Sequence, residues 1–263
     1  MIKLEDFNEA TRIAFAHMRP GVLTNHVMNA EEYRVDIANG SLFAHTWPGG
    51  VLFLRKRETY HMLSYCINDT SILPDCALPG DAFAEIAYKP AGAEKALCAV
   101  EFWKQMGLKQ IFERIRLSRL DIPVIARLSR SPLACAVAAP QDIDTCCALI
   151  RVSFDNRTGY IPDYRELEAS LANGHIMCMK DSYGVVCGLL RWIPHTASIE
   201  IRQFALREDM RGNGLARMLL NAFIKKYGNG KVTVWVRDGY TPAIKSYVSA
   251  GFTADGWRSA VLA

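Results

Sequence analysis

The chain has 263 residues, half of them hydrophobic and 22% charged, enough apolar material for one large domain or two small ones. No run of ~18 apolar residues occurs, which excludes an ordinary membrane helix. A formal net charge of +4, with no dense basic stripe, argues against a nucleic-acid binder and leaves a small anionic ligand compatible.

The opening MIKLEDFNEATRIAF carries early acidic residues and no apolar core before a cleavage site, so it is expected to be a helix over 4–18 and not a signal peptide. A helix near 30–38 and strands near 41–46, 51–57 and 60–67 follow. Then comes CINDTSILPDCALPGD, whose Pro, Asp and Gly content suits a loop. An Ala-rich helical stretch leads through Trp103 to Gly107-Leu108 and a strand-like tail. Two prolines, Pro123 and Pro132, then mark a seam. Beyond it the pattern predicts a strand near 133–138, helices near 140–152 and 163–172, and strands near 175–180, 184–192 and 197–206. A helix near 213–227, a strand near 231–237, a helix near 241–249 and a strand near 252–262 complete the chain.

The two halves resemble each other where a helix ends. Tyr247 precedes Gly251-Phe252 by the spacing that separates Trp103 from Gly107-Leu108, and each glycine suits a left-handed helix stop. Two copies of one α/β unit would explain this, as would chance likeness of two helix-glycine-strand segments. The expected division is 1–122, a linker over 123–132, and 133–263.

The segment richest in chemistry is the alternating strand Ser198 to Leu206, followed after a short turn by Arg211-Gly212-Asn213-Gly214-Leu215-Ala216 and a helix. Glycines before a helix start let a ligand approach unpaired N–H groups beside the positive end of the helix dipole, a setting suited to pyrophosphate. A plain strand-turn-helix would use the same glycines. The segments Val234-Trp235-Val236-Arg237 and Thr241 to Phe252 then supply a strand, a helix, a stop and another strand.

With these motifs in that order, the sequence over 133–263 resembles the GNAT superfamily of N-acetyltransferases. Arg211, Gly214 and Ala216 match the family's Q/R-x-x-G-x-G/A pattern. Ala243-Ile244, Tyr247 and Gly251-Phe252 match its later one. The resemblance implies a mixed α/β sheet splayed between strands four and five, with two GNAT-like units in tandem. The first unit is degenerate, because CINDTSILPDCALPGD stands where a phosphate loop would be. It also implies acetyl-CoA as co-substrate, bound by Phe204, Leu206 and the loop Arg211, Gly212, Asn213, Gly214, Leu215 and Ala216. The amine would attack the thioester directly, with the Leu206 amide as oxyanion donor and Tyr247 as proton donor to the thiolate. Glu200 is the candidate base, with a water relay as the alternative. Tyr240 departs from the family's usual asparagine at its position.

The expected activity is acetyl transfer to a primary amine of a small molecule, amino acid or peptide. A CoA-binding sensor, another acyl donor and an aminoacyl transferase with paired GNAT-like halves are the competing readings. Asn156, Arg157 and Tyr160 either contact the acceptor or belong to a solvated loop. Arg114, Arg116 and Arg119 either meet an anionic acceptor or form the wet face of an edge strand, and the second is the expectation. No zinc-type spacing occurs among the eight cysteines and six histidines, so no metal is expected and the thiols suit a reducing cytoplasm.

Overall fold

The computed structural model describes residues 1–26, 30–120 and 133–263, so the expected linker lies outside the described residues. Contacts divide the chain into two compact units, Met1–Glu113 with Trp257–Ala263, and Arg114–Gly256. Compactness therefore divides the chain at points other than 122 and 133. The strand after each half's last helix crosses the division, because an alternating strand does not itself encode which sheet it joins.

In the first unit the elements are β1 (Ile2–Lys3), α1 (Phe7–His17), β2 (Leu23–Thr24), α2 (Ala30–Ala38), β3 (Leu42–Trp47), β4 (Gly50–Lys56), β5 (His61–Ile67), β6 (Ala82–Tyr88), α3 (Ala93–Gln105) and the start of β7 (Gln110–Arg119). β6 was not among the expected strands. It follows the Pro- and Asp-rich loop, and its small residues (AFAEIAY) mute the alternation. The sheet runs β1-β3-β4-β5-β6, with β5 and β6 parallel and the others antiparallel. One face packs on α3 through Phe102 and Trp103, the other on α1 and α2 through Ile13 and Tyr33.

The second unit contains β8 (Cys135–Val137), α4 (Ile143–Ser153), α5 (Tyr164–Ala172), β9 (Ile176–Lys180), β10 (Val186–His195), β11 (Ser198–Leu206), α6 (Leu215–Tyr227), β12 (Lys231–Arg237), α7 (Thr241–Ser249) and the start of β13 (Thr253–Leu262). Its sheet runs β7-β12-β11-β10-β9-β8, with only β11 and β12 parallel. α4 and α5 cover one face through Leu149, Ile150 and Leu167, and α6 and α7 cover the other through Leu219, Phe223 and Tyr247. The last strand, β13, pairs its end, Arg258–Leu262, with β6 in the first unit's sheet.

The helix stops are the same in both halves. Gly107 and Gly251 adopt φ of +93° and +87°. The next N–H, of Leu108 or Phe252, donates back to the carbonyl of Trp103 or Tyr247 at 3.1 Å. This is the Schellman closure that glycine permits. Among the described residues no helix is long and apolar enough to cross a membrane. All eight cysteines are free thiols.

Candidate functional site

The site begins with a gap between parallel strands. β11 and β12 pair from Ser198↔Lys231 to Ile201↔Val234, after which both continue without pairing to each other. A bulge starts the divergence: Arg191 faces Gln203 and Trp192 faces Ile201, so Arg202 is the extra residue of β11. Such a bulge bends its strand and re-aims side chains.

Backbone polarity in the gap follows from the antiparallel ladder with β10. The Arg207 N–H donates to the Cys187 carbonyl at 2.8 Å, which makes that pair a hydrogen-bonded one. Pairs alternate along a ladder, so Phe204 and Leu206 turn their amides and carbonyls away from β10, toward the open side. The Leu206 carbonyl accepts from Arg211 Nε at 3.2 Å, which ties the following loop back to the strand.

That loop is a left-handed nest. Gly212 and Gly214 have φ of +82° and +76°, and no atom lies within 4 Å of where a Cβ would stand at either. Gly214 is itself the N-cap of α6, with no side chain capping the helix. The helix therefore starts at Leu215, two residues after the expected 213, because Asn213 and Gly214 are spent on the nest. Successive N–H groups at an uncapped helix start form an anion-binding concavity. Arg207 anchors the loop's entry through Asp181 and Asp209, each at 2.8 Å.

Tyr247 projects from α7 into the cluster beside Phe204 and Phe252, with ring centroids 5.8 and 5.4 Å away. It is 4% exposed, and burial pushes its hydroxyl pKa well up, so the phenol keeps its proton. Among the described residues none hydrogen-bonds that hydroxyl. Glu200 sits on β11 near the gap. Arg202 pairs with it at 3.0 Å and His195 at 3.4 Å. Burial raises its pKa, but Arg202, His195 and Arg116 outweigh that and hold it below the ordinary value. Glu200 is thus an anion at neutral pH. Tyr240 is exposed at the start of α7.

The site thus combines a parallel splay, inward-facing amides and a left-handed nest at the start of the next helix. The sequence profile of the Acetyltransferase (GNAT) family matches residues 143–252. Over that segment the chain is similar to the GNAT family. The fold agrees along both halves. A GCN5-related N-acetyltransferase from Sphaerobacter thermophilus superposes with a TM-score of 0.59 at 12% identity, over 98% of this chain and 91% of that one. A GNAT-family acetyltransferase from Colwellia psychrerythraea gives 0.56 at 12% identity, over 99% and 97%. At such identities the likeness is one of fold. No curated protein matches this chain.

The first unit has a similar parallel splay and closes it. β5 and β6 pair only from His61↔Ala82 to Leu63↔Ala84. Asn68 N–H donates to the Gly49 carbonyl, so Tyr65 and Ile67 face the open side as Phe204 and Leu206 do. There, however, the chain supplies its own partner. β2 pairs with β5 at Leu23↔Ile67 and Thr24↔Cys66. Asn25 Nδ2 donates to the Leu63 and Glu85 carbonyls at 3.1 and 3.0 Å, and its Oδ1 accepts from Tyr65 N–H at 2.9 Å. Sequence reasoning missed Asn25, because a lone asparagine gives no signal.

Two expectations about polar residues need correction. Arg114, Arg116 and Arg119 do not form the wet face of an edge strand, since β7 pairs with β12 from Arg114↔Arg237 to Arg119↔Val232. Arg119 is 3% exposed, and Arg116 bonds Asp255 at 2.7 Å. The segment 153–160 is not simply solvated either. Asp155 Oδ1 accepts from Arg157 N–H, Thr158 N–H and Thr158 Oγ1, and Thr158 is 3% exposed.

Proposed function

We propose that the second unit transfers an acetyl group from acetyl-CoA to a primary amine of a small molecule, amino acid or peptide. The observation that carries this reading is the β11–β12 gap, with the Phe204 and Leu206 amides turned into it and the Gly212–Gly214 nest at the adjacent helix. The fit to the cofactor is direct. The nest would take the pyrophosphate, and Phe204 and Leu206 would hydrogen-bond the pantetheine arm along the strand edge, with Arg211, Asn213, Leu215 and Ala216 shaping the loop. Acetyl-CoA would supply an activated thioester carbonyl.

The residues then divide the work. The Leu206 amide donates to the carbonyl oxygen as charge develops there. Glu200 attracts the incoming ammonium. With its pKa held low it is a weak sink for the proton of an alkylamine near pKa ~10, so the proton leaves through water beside it. Tyr247 stays protonated and donates a hydrogen bond to the departing sulfur. Its raised pKa makes full proton transfer to a thiolate less favourable than that bond. The first unit, with Asn25 and β2 in its splay, contributes no second cofactor site.

A thiol-release screen with acetyl-CoA against an amine library tests this reading. Turnover with at least one primary amine is expected. Tight CoA binding with no turnover on any amine would instead identify a CoA sensor, and failure to bind CoA would remove both readings.

A further inference from the structure

The first unit keeps a cavity beside the splay that it closes. The cavity measures about 310 Å³, and all the residues that line it belong to the first unit. Tyr65 and Ile86 form part of its wall, each two residues past the last β5–β6 pair, Leu63↔Ala84. Leu23 of β2 and Ala96 and Ala99 of α3 extend the apolar surface. Leu23 belongs to the segment that pairs with the open edge of β5. The residues that close the splay to a long ligand therefore also bound the space that remains. That volume lies at the small end of ligand pockets.

The charged side of the cavity has one sign. Lys89, just after β6, and Lys95, in the first turn of α3, line it, and no acidic side chain does. Neither ammonium has a carboxylate partner among the described residues. Lys89 Nζ stands 5.5 Å from the centroid of the Trp257 ring, a contact that orients the charge without neutralising it. The Glu113 carboxylate is taken by the Tyr88 hydroxyl at 2.9 Å and by Arg258 at 2.6 Å. Gly92, also in the lining, is the N-cap of α3 with no side chain capping the helix. No atom lies within 4 Å of where its Cβ would stand. The positive end of a 13-residue helix thus opens on the same space as two ammonium groups.

We propose that this cavity binds a small carboxylate with an apolar body, of the class of medium-chain fatty acids, at a site separate from that of CoA. The body leaves water against Leu23, Ile86, Ala96 and Ala99, which is favourable in proportion to the apolar area covered. The carboxylate meets Lys89 and Lys95, where a neutral head would leave both without a partner. Pyrophosphate is the poorer match. Gly92 has a φ of −108°, so no left-handed nest gathers successive N–H groups there. The site gives the first unit a role of its own, and it stands whether or not the second unit transfers acetyl groups.

The test is calorimetric titration of the full chain with butanoate, hexanoate, octanoate and octanol, with and without saturating CoA. Affinity is expected to rise about fourfold for each methylene added along the acids. Octanoate is expected to bind about 10-fold or more tightly than octanol at low salt, a preference that shrinks as salt is raised. Lys89→Gln and Lys95→Gln are each expected to lower octanoate affinity by about two- to fivefold. The double variant is expected to bind octanoate no better than octanol, with thermal melts confirming folding. Ala99→Leu fills the cavity and is expected to abolish octanoate binding. If that variant does not fold, the lysine variants decide. Saturating CoA is expected to leave octanoate in place, and displacement would make the cavity a second CoA site and overturn the proposal. Affinity independent of chain length, equal binding of octanol and octanoate, or no binding at millimolar concentration would overturn it as well.

Discussion

The side-chain amide of Asn25 occupies the open edge of β5 at Tyr65, accepting that residue's N–H at 2.9 Å. Its Nδ2 group reaches the carbonyls of Leu63 on the same strand and Glu85 on β6. One side chain thereby satisfies three backbone groups that a parallel splay would leave unpaired.

The stoichiometry of cofactor binding follows. Calorimetry is expected to give one CoA per chain. Asn25→Ala leaves the three backbone groups unsatisfied and is expected to lower stability by about 2 kcal/mol or more in denaturant titrations. It is not expected to add a second CoA, because no nest opens α3. Two equivalents in the wild-type chain would show that the first unit's splay is available to CoA.

Gly214→Glu tests the phosphate nest. The free protein has room for a Cβ at this position, so the cost to folding is limited to the left-handed backbone, about 1–2 kcal/mol. A carboxylate at the helix start would repel pyrophosphate, and CoA affinity is expected to fall by about 10-fold or more. Unchanged affinity in a folded variant would move the cofactor elsewhere.

Tyr247→Phe separates chemistry from packing by the sign of two measurements. The hydroxyl of this buried residue has no bonded partner among the described residues, so its removal is expected to leave the melting temperature unchanged or higher. Losing a positioned acid or donor is expected to cost about 10²–10⁴-fold in turnover. The Michaelis constant for acetyl-CoA is expected to change far less, since ground-state binding rests on the nest. Turnover within about threefold of wild type would assign Tyr247 to the core alone and the proton to water.

His26 gives a pH signature to the first unit. It is 5% exposed, stacked on Phe53, and its Nδ1 lies 3.2 Å from Ser64 Oγ and 3.1 Å from the Tyr33 hydroxyl. Burial, followed by the charge of Arg55, pulls its pKa down to about 4. The folded state thus refuses a proton that the unfolded chain takes below pH ~6.5. Its contribution is complete above that pH and is lost as pH falls toward about 4, reaching about 3 kcal/mol across the window. Denaturant titrations of His26→Asn are expected to show a shallower acid slope between these limits. An unchanged slope would assign the acid sensitivity to other groups.

The sequence alone carried the helix and strand periods of the second unit, the glycine stops and the glycine turn before α6, because each depends on residues close together in the chain. Gly212 and Gly214 are legible for this reason: a left-handed turn before a helix requires them where they stand. The likeness of Trp103-to-Gly107 and Tyr247-to-Gly251 was legible on the same ground. Local pattern failed where an element's meaning depends on its partner. Arg114 and Arg116 looked like an edge-strand face until β12 was found against them. Gln203 and Arg191 were polar residues in apolar strands, a signal that something buried must satisfy them, with no indication of what. Only the folded chain joined them to Tyr160, and only the folded chain brought Asn25 across to Leu63, Tyr65 and Glu85. Hydrogen bonds between segments 38 to 60 residues apart depend on the register of whole strands, which no short stretch of sequence specifies.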